Sequence, residues 1–182
     1  MTFRTSVFIA ASLDGYIARP DGAIDWLEQA NACVPAGEDC GYAAFMSTVD
    51  LLVMGRATFE KVLAFPAWPF AERPVWVASR SGPALPAHLP HTVRVTDETP
   101  ARIVHSAQVL GFRHLYVDGG QLIQAFLREN LIDELTITTI PVLLGSGRTL
   151  FGALSSDVPL QLVATRAYPF GFVQSTYRVL PA

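Results

Sequence analysis

Two apolar rhythms alternate along the chain. One is a short, nearly continuous apolar run, the mark of a strand buried on both faces. Residues 3–12 (FRTSVFIAAS), 50–54 (DLLVM), 74–79 (PVWVAS) and 92–95 read this way, as do Leu115, Tyr116 and Val117. The other rhythm is helical. Leu122, Ile123, Phe126 and Leu127 fall on one helical face, which Asn130 closes. Residues 56–64 (RATFEKVLA) read as a helix, Asp25 begins a short helical piece, and Asp39 precedes a helix carrying Tyr42, Phe45 and Met46. Thr99 and Pro100 mark another helix start, with Gly111 as its stop.

After residue 130 strands dominate. Residues 135–144 read as a strand, and residues 160–168 and 172–180 as a hairpin around Pro169-Phe170-Gly171. Residues 13–18 form a loop and a short extended piece, Pro20-Asp21-Gly22 a turn, and residues 31–38 a loop. Residues 65–73 (FPAWPFAER) are proline- and aromatic-rich, which suits a loop beside a pocket. The order predicts an α/β fold with a mainly parallel central sheet, helices on both faces and an antiparallel C-terminal edge.

Composition narrows the partners. A chain of 182 residues, 51% hydrophobic and 16% charged, is expected to form a single domain over residues 1–182 with a sizeable core. The net charge of −3 and the lack of a basic run disfavour nucleic acid. The apolar run at residues 7–11 is too short for a secretory signal or a membrane span, and no later segment is long enough either, so a cytoplasmic location is expected. Cys33 and Cys40 match no zinc or redox spacing, and the four histidines show no ligand pattern, so no metal is expected.

The candidate chemistry lies at two strand–glycine–helix junctions. One is Gly55-Arg56-Ala57-Thr58, the other Gly119-Gly120-Gln121-Leu122. A single such junction needs glycine only for a sharp turn. Two of them at the carboxyl ends of parallel strands would face one crevice and offer two sets of backbone N–H groups to a pyrophosphate. Neither is the dinucleotide fingerprint or a Walker loop. Arg56 either reaches a phosphate or pairs with Glu60 four residues on. Ser79 and Arg80 end another strand and either bind a phosphate monoester, such as the ribose 2′ group of NADPH, or form an exposed loop.

The stretches SLDGYIA, VMGRATFE, VASR and VDGGQLIQAFLRENLIDELTITTIPVLLGSGRTLF resemble the dihydrofolate reductase-like superfamily, and within it the riboflavin-biosynthesis reductase domain and its stand-alone relatives. The resemblance covers nearly the whole chain. It implies an eight-stranded sheet with NADPH across its carboxyl edge and hydride transfer of the 5-amino-6-(5-phosphoribosylamino)uracil reductase kind. It places Ala10 and Ile17 at the nicotinamide amide, Gly55, Arg56, Ala57 and Thr58 at phosphate, Ser79 and Arg80 at the 2′-phosphate, and Gly119, Gly120, Gln121 and Leu122 at the pyrophosphate. Gly145, Ser146 and Gly147 would lie near the cofactor or a dimer contact.

The same resemblance puts Asp39 where these reductases carry a substrate carboxylate, which makes it the candidate proton donor; as a helix cap it would need no such role. Trp26, Phe65 and Trp68 are candidate substrate contacts, although a tryptophan is commonly core. The chain departs from the riboflavin-pathway reductases in two respects. Phe8 replaces their first-strand lysine, and residues 59–68 lack their DxPxLxxR run. A small pterin- or pyrimidine-like heterocycle, or a related carbonyl, is therefore the expected substrate. A non-catalytic nucleotide-binding protein is the alternative, and the apolar C-terminal edge predicts a homodimer.

Overall fold

The computed structural model describes residues 2–181. The elements are β1 (Arg4–Ser12), β2 (Tyr16–Ala18), α1 (Asp25–Asn31), α2 (Tyr42–Ser47), β3 (Leu51–Gly55), α3 (Arg56–Leu63), β4 (Val75–Ala78), β5 (Val93–Thr96), α4 (Pro100–Val109), β6 (His114–Asp118), α5 (Gly120–Arg128), β7 (Glu134–Ile140), β8 (Arg148–Thr149), β9 (Leu160–Ala167) and β10 (Val173–Val179). Eight of the strands form one sheet in the order β5-β4-β3-β6-β1-β7-β10-β9. The first six run parallel, and β10 and β9 close the sheet antiparallel.

The period-two alternation of the strands explains why both faces are covered. On β3, Leu51 and Val53 pack with Ile103 and Ala107 of α4 and with Ile123, Phe126 and Leu127 of α5. Leu52 and Met54 point the other way, to Phe59 of α3 and to Phe45 and Met46 of α2. All four β3 side chains are fully buried. Burial of each stabilises the fold by about 1.5–3 kcal/mol, which is why the strand reads as an unbroken apolar run. A third cluster, around Trp26, Ile140, Tyr168 and Phe172, joins α1 to the hairpin end of the sheet.

Three details differ from the sequence-based expectation: one strand end, one cap and one short strand. The strand expected over 135–144 ends at Ile140. Pro141 has no N–H for the ladder. Thr99 precedes α4 as expected, but its side chain makes no capping hydrogen bond. The loop after β7 contains the two-residue strand β8, which pairs antiparallel with β2. Gly147 makes this pairing possible, because a Cβ there would collide with the Ala18 carbonyl and press on the Tyr16 ring. Asp14 ties the same loop down: its carboxylate accepts hydrogen bonds from Gly145 N at 2.7 Å, Leu144 N at 3.2 Å and the Ser12 hydroxyl at 2.5 Å.

Candidate active site

β3 and β6 are parallel neighbours, so their carboxyl ends open on one edge of the sheet. β3 ends in Gly55, β6 is followed directly by Gly119, and each turns at once into a helix. Gly55 precedes α3 and Gly119 precedes α5, and neither offers a side chain to the first-turn N–H groups. Those groups have no partner within the helix, and the positive end of each helix dipole coincides with them.

The two junctions touch. A Cβ on Gly119 would come within 2.5 Å of Thr58 Oγ1 and 3.5 Å of Gly55 N. Gly119 also has φ +98° and ψ 128°, a region that residues with a Cβ avoid. A Cβ on Gly120 would meet the tip of Ile17 at 2.7 Å and the Thr149 carbonyl at 3.2 Å. The glycines thus let two helix starts lie side by side as a cradle of backbone N–H groups, with Ile17 of β2 packed against Gly120. This donor set fits a pyrophosphate.

A cation flanks the cradle. Arg56 pairs through Nε with Glu60 at 2.6 Å and donates from Nη1 to the Ser81 hydroxyl at 2.8 Å. Ser81 in turn lies 3.2 Å from the Ser79 hydroxyl. Of the two readings of Arg56, the pairing with Glu60 is the one the structure contains. The Glu60 pair is exposed, and such pairs stabilise by only about 0.3–0.5 kcal/mol, so a phosphate can compete for the guanidinium. Beyond it, Ser79 and Arg80 join Arg94, Thr96 and His105 around a cavity of about 700 Å³. Ser81 escaped sequence reasoning because no residue pattern ties a loop serine to an arginine on another element.

A second cavity of about 600 Å³ opens on the α1 and α2 face of the sheet. Phe8, Ala10, Thr138 and Ile140 form its floor on β1 and β7, and Asp39 and Tyr42 lie in its wall. Gln174 fixes the wall to the floor by donating to the Cys40 carbonyl and to the Thr138 hydroxyl, both at 2.9 Å. Phe8 stacks on Phe45 with centroids 4.9 Å apart and meets Tyr42 edge-on at 5.7 Å.

Asp39 thus lines the cavity, but its carboxylate also accepts from the backbone N–H groups of Ala43 and Gly41, each at 2.8 Å. Those two bonds, that from Ala43 first, hold its carboxyl below the usual range. A proton on Asp39 is poorly placed for donation near neutrality, which argues against the expected donor role. Trp26, Phe65 and Trp68 do not line this cavity. Trp26 is 3% exposed in the core cluster beneath α1. Trp68 packs edge-on against Phe59 and Phe70, and Phe65 is an exposed loop residue. The Arg73 guanidinium donates to the Val49 carbonyl, and His114 packs against Ser6 and Thr48 at the start of β6, remote from the cradle.

The carboxyl that sequence reasoning missed is Asp118, the last residue of β6. It shares a face of the strand with Tyr116, since successive side chains alternate. It accepts from Gly119 N at 2.8 Å. Burial pushes its pKa up to about 6. Its charge acts on both neighbouring phenols, and the Tyr42 hydroxyl is raised to about 12 by burial first and Asp118 second. Asp118 therefore stands between the glycine cradle and the Tyr42 wall of the second cavity. Period-two counting along β6 was the signal that could have found it.

The model of the RibD C-terminal domain family matches residues 5–173. The uncharacterized protein YwjB of Bacillus subtilis (strain 168) is 35% identical over 170 residues, covering 92% of this chain and 94% of its own. A putative riboflavin biosynthesis protein from Shewanella sp. PV-4 superimposes with a TM-score of 0.90 at 40% identity, over 98% of this chain and 99% of that one. Dihydrofolate reductase from Enterococcus faecalis, solved with NADP(H), superimposes with a TM-score of 0.63 at 19% identity, over 100% of both chains, and so shares the fold. With its touching glycine junctions and mixed eight-stranded sheet, the chain belongs to the RibD C-terminal domain family, a reductase-like family of dihydrofolate reductase-like fold.

Proposed function

We propose that the protein is an NADPH-dependent reductase acting on a small nitrogen heterocycle or a carbonyl derived from one. The observation that carries this reading is the contact between the two glycine junctions beside a second, apolar cavity. Backbone N–H groups at Gly55, Arg56, Ala57 and Thr58 and at Gly119, Gly120, Gln121 and Leu122 would hold the pyrophosphate. Ser79, Arg80 and Arg56 would hold the 2′-phosphate by charge-assisted bonds. Ala10 and Ile17 would hold the nicotinamide amide with backbone groups, at the boundary between cradle and cavity. NADPH, when bound, supplies the hydride.

The remaining work belongs to the chain. Its cavity walls orient the acceptor ring and exclude water. Asp39 accepts hydrogen bonds as a fixed carboxylate. Asp118 holds a proton up to about pH 6 beside Tyr42 and releases it toward the atom that gains negative charge. Turnover is therefore expected to fall as pH rises through about 6.

Discrimination between cofactors tests the cofactor half of the reading. Arg80→Ala is expected to weaken NADPH binding by about tenfold, as loss of one charge-assisted bond does, and to change NADH binding by less than about twofold. Equal losses for both cofactors would remove the 2′-phosphate assignment.

The same reading includes a homodimer. β9 is exposed along its whole length and carries Leu160, Leu162 and Val163 at the open edge of the sheet. Such an edge is ordinarily covered. Sedimentation is expected to give twice the 19.8 kDa chain mass, and a mass of one chain would exclude the dimer.

A further inference from the structure

We infer that the second cavity selects a flat nitrogen heterocycle carrying no phosphate or carboxylate, neutral or positively charged. That the occupant is the hydride acceptor rests on the function proposed above; that the cavity rejects anions does not. Among the described residues no lysine, arginine or histidine lines it. Its charged groups are the carboxylates Glu38 and Asp39, and both are already fixed by the backbone: Glu38 accepts from Cys40 N at 2.7 Å, Asp39 from Gly41 and Ala43.

The nearest cations already have partners: one at the rim, on Glu38 itself, and one on the backbone just after α2. Arg166 lies 3.7 Å from Glu38 with its guanidinium over the Tyr168 ring at 4.4 Å. Arg73 donates to the Val49 carbonyl. A phosphate or carboxylate entering this space would meet Asp39 and a Glu38 whose one cationic partner, Arg166, stands outside the lining, which costs affinity.

The floor favours the opposite chemistry. Phe8 of β1 presents its ring to the cavity and is held in place by the Phe45 stack and the Tyr42 edge. An aromatic face attracts flat rings and cations. Ring N–H groups find acceptors in Asp39 and Glu38 at the rim, and the Thr138 hydroxyl is fixed in the floor by Gln174.

Two ligands that share a ring and differ in the phosphate test this. Calorimetry would compare 5,6-diaminouracil with 5-amino-6-(5-phosphoribosylamino)uracil, with and without NADPH. The bare ring is expected to bind at least about tenfold more tightly. Phe8→Lys is expected to reverse that order by introducing a cation into the floor. Asn31→Lys, at the exposed end of α1 on the cavity wall, is a milder variant that should narrow it by about tenfold if the first does not fold. Equal or tighter binding of the phosphorylated compound to the unmodified protein, or no binding of either, overturns the inference. Failure of NADPH to bind, with the order of the two ligands kept, would instead sink the proposed function and leave the anion-rejecting cavity standing.

Discussion

Asp118→Asn is expected to lower kcat about 100-fold while changing NADPH affinity by less than about threefold. The carboxyl has one backbone donor, Gly119 N, which an asparagine oxygen can also accept. What the substitution removes is the proton held to about pH 6. The descending limb of the kcat–pH profile should flatten in the variant, a result that loss of packing alone would not produce. A variant with full turnover and an unchanged profile would show that the proton comes from elsewhere.

Stability should move the other way. The Asp118 carboxyl ionises near 6 in the folded chain against an ordinary value of 3.8. The folded state therefore binds more protons between those values, and stability falls as pH rises across that window. The loss is about 3 kcal/mol for a gap of about two pH units and persists above it. The D118N protein should therefore melt higher than the parent at pH 8 and close to it at pH 4. Higher stability with lower turnover is the expected signature of a buried functional carboxyl.

Gly119→Ala is expected to reduce NADPH affinity at least about 100-fold and to destabilise the fold by about 2–4 kcal/mol. Two causes add. The backbone at φ +98° and ψ 128° is strained for any residue with a Cβ. The new methyl would also lie 2.5 Å from Thr58 Oγ1, so either the hydroxyl or a junction must shift. Thr58→Ala in the same chain should remove the collision and restore part of the affinity, leaving only the backbone strain. Restoration to the parent affinity would show that strain contributes little; no restoration would show that the cradle does not depend on this contact. Chemical-denaturant titration of the three variants separates the stability term from the binding term.

Most of the framework was legible before the structure. Strands buried on both faces must be apolar throughout, so β1, β3, β4 and β6 announce themselves, and Gly55 and Gly119 mark where they turn. That both turns open on one crevice follows from parallel strands. That they touch does not: it depends on β3 and β6 being adjacent, which the chain order alone leaves open. Asp39 was placed beside the substrate only by the resemblance; the N-cap of α2 is Gly41, and Asp39 accepts from Gly41 N and from Ala43 N in the first turn.

Residues whose role depends on distant neighbours were not legible. Asp118 looks like the polar end of a strand until α2 places Tyr42 against it. Trp26 on α1 and Trp68 in the aromatic loop after α3 read as ligand contacts, yet Trp26 sits in one core cluster and Trp68 packs against another, the common fate of a large ring. β8 hid in a glycine-rich loop because two residues carry no periodicity, and its partner β2 is held to it by Gly147.

The central claim is that the touching junctions hold NADPH. Calorimetric titration of the unmodified protein with NADPH and NADH addresses it most directly. Saturable binding at one site per chain is expected, with NADPH at least about tenfold tighter than NADH and binding lost in the Gly119→Ala protein. Absence of NADPH binding, or binding of equal strength for both cofactors that survives Gly119→Ala, would contradict the account.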